Sequence, residues 1–203
     1  MKAALWTAVF FVVAGAEVGR ADPQIQSANF NCEYRSQEGG SWEKRSSANL
    51  YMSGRTLVVD FNASNAMNSV GTTNTGNEYR VEARCPGTVT LTDGGRFKIR
   101  DFAVNVNNAY IGSEKGTIEL KVQGLTTVTG TNQKDGFDKY WKLGKSRVDS
   151  GNFFDAQVES NTVCGNQLTL RFEDLRATVW SDPQTFEFTE VSLNSLLVNL
   201  DPC

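Results

Sequence analysis

The side chains in this sequence that could do chemistry are carboxylates, hydroxyls, thiols and aromatic rings, because histidine is absent from all 203 residues. That absence removes the usual general base near neutral pH, the usual partner of a nucleophilic Ser or Cys, and the commonest transition-metal ligand. What remains for an enzyme is a pair of carboxylates, as in glycoside hydrolysis, or a calcium-assisted scheme. The acids on offer are Asp135, Asp138, Asp149 and Asp155, Glu187 between Phe186 and Phe188 with Glu190 close by, and the adjacent Glu173 and Asp174. Neighbours on a strand point to opposite faces, so Glu173 and Asp174 make a poor catalytic pair. The "DGFD" of residues 135–138 lacks the regular oxygen-donor spacing of a calcium-hand loop. Solvated surface acids are therefore the default reading. No catalytic residue, metal ligand or cofactor is assigned, and Glu187 and Asp149 are the first acids to test for a polysaccharide hydrolase.

Recognition chemistry has a clearer signal. From Gly124 to Asn152 the chain is polar and punctuated by glycine, yet it carries Phe137, Tyr140 and Trp141 together. Long loops on a rigid β scaffold often carry function, and adjacent aromatics present a flat face to a sugar ring or anchor a protein partner. Phe137, Tyr140 and Trp141 are thus the candidate ligand contacts. The competing reading is a hairpin whose aromatics fold back over a sheet edge. Asn62-Ala63-Ser64 is a glycosylation acceptor in a eukaryotic host.

The four cysteines, Cys32, Cys85, Cys164 and Cys203, take their meaning from the compartment. "MKAALWTAVFFVVAGAEVGRADPQ" has an early lysine, an apolar stretch and small residues suited to cleavage, the pattern of a secretory signal over residues 1–21. The apolar run falls well short of the roughly 20 residues that span a bilayer. The expectation is a secreted, extracellular protein (periplasmic or at the cell surface if bacterial), with residues 22–203 as one domain and no stable membrane insertion. An even number of distant cysteines in an exported chain favours two disulfides over zinc, for which there are neither close pairs nor histidines. Three pairings exist on paper. Cys32 with Cys85 and Cys164 with Cys203 is the favoured one, closing loops of about 53 and 39 residues. Removing Lys2, Arg20 and Glu17 from 20 basic and 23 acidic residues leaves 18 and 22, and the sequence shows no basic cluster beyond short groups such as Lys139, Lys142, Lys145 and Arg147. Nucleic acid is not an expected partner.

The elements that must position these groups are strands. Apolar residues recur with period two: Leu57, Val59 and Phe61; Val89 and Leu91; Phe97 and Ile99; Val104 and Val106; Ile118, Leu120 and Val122; Leu168, Leu170 and Phe172; Ala177 and Val179; Phe186 and Phe188. Turns are expected at "TDGG" (92–95), "GSEKG" (112–116) and "SDPQ" (181–184), and "SLNSLLVNL" reads as the last strand. The fold class is all-β, an antiparallel β-sandwich or jelly roll stabilised by two disulfides.

The order Cys32, "TLVVDF", Cys85 before "GTVTLTDGGRFKIRDFAVNVNNAYIG", Cys164-Gly165 before "NQLTLRF", and a final Cys203 resembles a family of secreted fungal and bacterial four-cysteine proteins. That family is catalogued as a domain of unknown function, and the likeness covers most of residues 30–203. The resemblance implies export, disulfides and a β fold, and it supplies no catalytic residues. The functional expectation is a non-catalytic secreted binding or interaction protein for cell-wall or surface glycan, or for an extracellular protein. The alternatives are a carboxylate-dependent polysaccharide hydrolase and a secreted structural or inhibitor protein.

Overall fold

The computed structural model describes residues 22–36, 40–62, 67–72, 80–112, 115–144, 153–157, 163–182 and 188–203, and of 153–157 the backbone alone. The described residues contain no helix. The strands in chain order are β1 (Gln24–Phe30), β2 (Glu33–Arg35), β3 (Glu43–Lys44), β4 (Asn49–Ser53), β5 (Thr56–Asp60), β6 (Val70–Gly71), β7 (Arg80–Arg84), β8 (Gly87–Ile111), β9 (Thr117–Val128), β10 (Lys134–Gly144), β11 (Phe153–Gln157), β12 (Gly165–Trp180) and β13 (Thr189–Pro202). Every recorded pairing among them is antiparallel. The period-two residues from Leu57 to Val179 are buried and lie on strands, except Phe61, which is buried just beyond the end of β5, and "SLNSLLVNL" is part of the last strand. Phe186 and Glu187 fall outside the described residues.

Two long strands organise the sheet. The first part of β8, Gly87–Thr92, lies between β1 and β12; from Phe97 onward β8 pairs with β13, and β11 joins it along residues 101–105. The turn expected at "TDGG" is not a reversal. The chain stays extended there, while the register to β12 jumps from Thr92 to Phe97 across the step from Gln167 to Gly165. Such a bulge bends a strand without ending it, so β8 passes from one set of partners to another. β12 behaves alike: a register shift at Glu173 separates Leu168, Leu170 and Phe172 from Leu175, Ala177 and Val179, and both sets are buried.

The path β3-β2-β7-β12-β8-β13-β5-β4, with the other strands attached beside it, curls into a sandwich-like body around one core. Phe102 on the second part of β8 meets Phe137 of β10 with ring centroids 5.0 Å apart. One cross-strand row on the inner face alternates ring and glycine over five strands: Phe30, Gly87, Phe172, Gly124, Phe137. A Cβ at Gly87 would strike the Phe30 ring, and one at Gly124 would strike the Arg171 carbonyl oxygen and the Phe137 ring. Glycine at these two positions lets each ring lie over its neighbour's backbone. Disulfides join Cys32 to Cys85 and Cys164 to Cys203, the favoured pairing. No helix among the described residues is long and apolar enough to cross a membrane.

Candidate functional site

Of the two readings of the segment from Gly124 to Asn152, a long loop and a hairpin, the described part is the hairpin. β9 and β10 pair from Thr117 opposite Gly144 to Thr127 opposite Lys134, and residues 145–152, with Asp149, lie outside the described residues. The hairpin separates the three aromatic candidates. Phe137 is 5 % exposed, held by Phe102 and Phe172, and is a core residue that no ligand reaches. Trp141, two strand positions from each of Lys139 and Leu143, packs partly buried against the same core. Tyr140 points the other way and is 55 % exposed. Alternation along the strand dictates this division, and polar residues at inward positions such as Asp135 and Lys139 hid it in the sequence.

Tyr140 stands at one end of a charged outer face. One cross-strand row runs Lys44, Glu33, Arg84, Arg176, Lys121, Tyr140, and the next runs Arg35, Glu82, Thr178, Glu119, Lys142. Arg80 with Trp180 flanks them on one side, and Asp174 with Gln123 and Asp138 on the other. At the Tyr140 end, Lys142 Nζ donates to Glu119 Oε1 at 2.8 Å. Burial pushes the Tyr140 hydroxyl pKa above its ordinary value, and its hydrogen bond to Glu119 and the negative charge there act in the same direction, opposed by Lys142.

At the centre is Glu82, 1 % exposed. A buried carboxylate is tolerable only when paired and hydrogen-bonded. Glu82 Oε2 accepts from Arg35, and Oε1 accepts from Arg80 at 2.9 Å and from Arg176 Nη1 at 3.4 Å. Burial alone would raise its pKa, but the Arg35 hydrogen bond and the charges of Arg80, Arg35 and Arg176 outweigh it and hold the carboxyl below the usual range. Arg176 grips both Asp174 oxygens, at 2.9 and 3.1 Å, and Lys121 lies 3.5 Å from the same carboxylate. Arg84 donates to Glu33 at 2.8 and 2.7 Å. Two tryptophans lie against these guanidinium groups: Arg84 and Arg35 are 3.9 and 4.5 Å from the Trp42 ring centroid, and Arg80 is 4.4 Å from that of Trp180.

No family model matches the chain, and no curated protein does. Among solved structures, CpGH89CBM32-5 from Clostridium perfringens, in complex with GalNAc-beta-1,3-galactose, is similar over 83 % of this chain and 93 % of its own, at 16 % identity and a TM-score of 0.25. TmCBM61, in complex with beta-1,4-galactotriose, is similar over 73 % of this chain and 88 % of its own, at 10 % identity and a TM-score of 0.24.

The remaining candidates are dispersed. Glu173, the extra residue of the β12 bulge, lies 3.6 Å from Arg171, while Asp174 is held by Arg176 and Lys121, so the two adjacent acids serve separate ion pairs. Glu190 accepts from Asn108 at 3.0 Å. Asp155 is described by its backbone on β11 alone. Asn62 is exposed and donates to Asn194 Oδ1 at 2.7 Å, with Ala63 and Ser64 outside the described residues. Among the described residues no three His, Cys, Asp or Glu side chains converge as metal ligands would. Near the Cys164–Cys203 bridge, a cleft of about 400 Å³ is lined by Gly94, Arg96, Gln133 and Asn166 among others, and its Arg96 donates to the Cys164 carbonyl at 2.9 Å. The sequence showed no basic cluster of this kind, because Arg35, Arg80, Arg84, Lys121 and Arg176 come from four separate strands. The signal present was period two in "RVEAR", with charge on every second residue.

Proposed function

We propose that the protein is secreted, loses residues 1–21, and acts outside the cell as a non-catalytic binding protein that takes surface glycan on the outer face ending at Tyr140. The observation that carries this is Tyr140 itself, an exposed ring whose rim holds Glu119, Lys121 and Lys142. Sugar recognition needs that pairing: a flat apolar face for the ring C–H groups, and fixed donors and acceptors for the hydroxyls. Two disulfides suit an oxidising compartment.

The test is retention of the secreted protein on insoluble chitin, β-glucan, cellulose and peptidoglycan, with released reducing ends assayed in the same tubes. The protein is expected to be retained on at least one of these and to release nothing. Tyr140→Ala should weaken that retention about thirty-fold, a loss of about 2 kcal/mol, with the melting temperature unchanged. Tyr51→Ala, which removes the other large exposed ring among the described residues, should bind as the wild type. Release of reducing ends abolished by one Asp or Glu substitution would overturn the reading in favour of a hydrolase.

A further inference from the structure

We infer that the glycan taken on this face is acidic, bearing carboxylate or sulfate groups that meet the row Arg84, Arg176, Lys121. This rests on the glycan reading above and specifies its ligand. Three cations in direct cross-strand register destabilise a sheet unless something answers them. The acids present answer them in part. The four rows of the face hold seven Lys and Arg side chains against five Asp and Glu, in a chain whose formal charge is −3. The surplus is therefore concentrated here. It is also preorganised: Glu82 beneath fixes Arg35, Arg80 and Arg176, Asp174 fixes Arg176 from the side, and Glu33 fixes Arg84.

The three cations of the row remain 34 %, 30 % and 35 % exposed. Each guanidinium has five donors, more than its acid partners engage, and its planar fork matches carboxylate and sulfate oxygens. Adjacent strands lie about 4.8 Å apart, so the row offers cations over roughly 10 Å, in line with the Tyr140 ring at one end. A linear polymer with a ring to stack and recurring anions fits that line, whereas a single small anion would use one position of it.

The experiment measures binding of the full-length secreted protein to polygalacturonate, dextran sulfate, unsubstituted dextran and a mixed-sequence DNA duplex across a range of salt. At least one acidic polysaccharide should bind ten-fold or more tighter than dextran, weakening as salt rises, and whichever it is names the group as carboxylate or sulfate. Arg84→Gln, far from the Tyr140 rim, should lose about ten-fold or more on that polymer while remaining folded by circular dichroism and keeping any uncharged glycan that depends on Tyr140. Lys121→Glu alone, on a half-buried side chain, should lose as much. Equal binding of duplex DNA would overturn the inference, since the face would then be a general polyanion surface. So would Tyr140-dependent binding of uncharged glycan with no preference for acid, which leaves the glycan reading standing. Binding to no glycan at all would remove both.

Discussion

Glu82 is the residue on which the outer face depends. It has exchanged water for three guanidinium groups, so removing its charge takes a shared buried partner from Arg35, Arg80 and Arg176 at once. Glu82→Gln should lower stability by about 3–5 kcal/mol, measured by urea unfolding at neutral pH. The same substitution should alter the pH dependence. Because its folded pKa lies below the ordinary carboxylate value of 4.5, the charge contributes stability above that value and loses it as pH falls through the folded pKa. Wild-type stability should therefore decline on acidification below pH 4.5, and that decline should be shallower in Glu82→Gln. In the sequence Glu82 is one of many acids in alternating text, and alternation correctly puts it opposite Val81 and Ala83. Its burial was not legible there, because it is made by β2 and β12 packing on either side and by long arginines folding over the top.

At the scale of the element, the strands were legible and their irregularities were not. Period two located β5, β8, β9 and β12, since alternate residues of each are buried, and "SLNSLLVNL" was read directly as the last strand, β13. The β12 bulge was written in the text as a change of phase, Phe172 to Leu175, where a regular strand would continue at 174. The "TDGG" bulge could not be told from a turn, because the same residues serve both. β10 could be read as a loop as well as one arm of a hairpin, since only Phe137 on its inner side is fully covered, and an edge strand admits polar residues at half-covered positions. The ring and glycine row makes this region testable. Gly124→Ala should cost about 1–3 kcal/mol through collision with Arg171 and Phe137. Phe137→Ala should cost about 3–5 kcal/mol, against no change for Tyr140→Ala, three strand positions away on the opposite face. Equal melting temperatures for the Phe137 and Tyr140 variants would contradict the division of β10 into a core side and a contact side.

For the whole molecule, the disulfides and the curled sheet act together. Cys203 follows β13 beside the β8 bulge, where its N–H donates to the Arg96 carbonyl at 2.9 Å, and its bridge to Cys164 ties the end of β13 to the start of β12. Replacing Cys164 and Cys203 by Ser should cost about 2–4 kcal/mol in urea unfolding, with the outer face intact, since that face is built by β2, β7, β9, β10 and β12. The pairing could be favoured from cysteine spacing alone. The face could not, because it exists only once those strands lie side by side. The most direct test of the account is to map amide chemical shifts of the protein, titrated with the soluble form of whichever glycan retains it. The account predicts perturbations centred on Tyr140, Lys121, Arg176 and Arg84. Perturbations centred instead on Gly94, Arg96, Gln133 and Asn166, in the cleft beside the Cys164–Cys203 bridge, would contradict it.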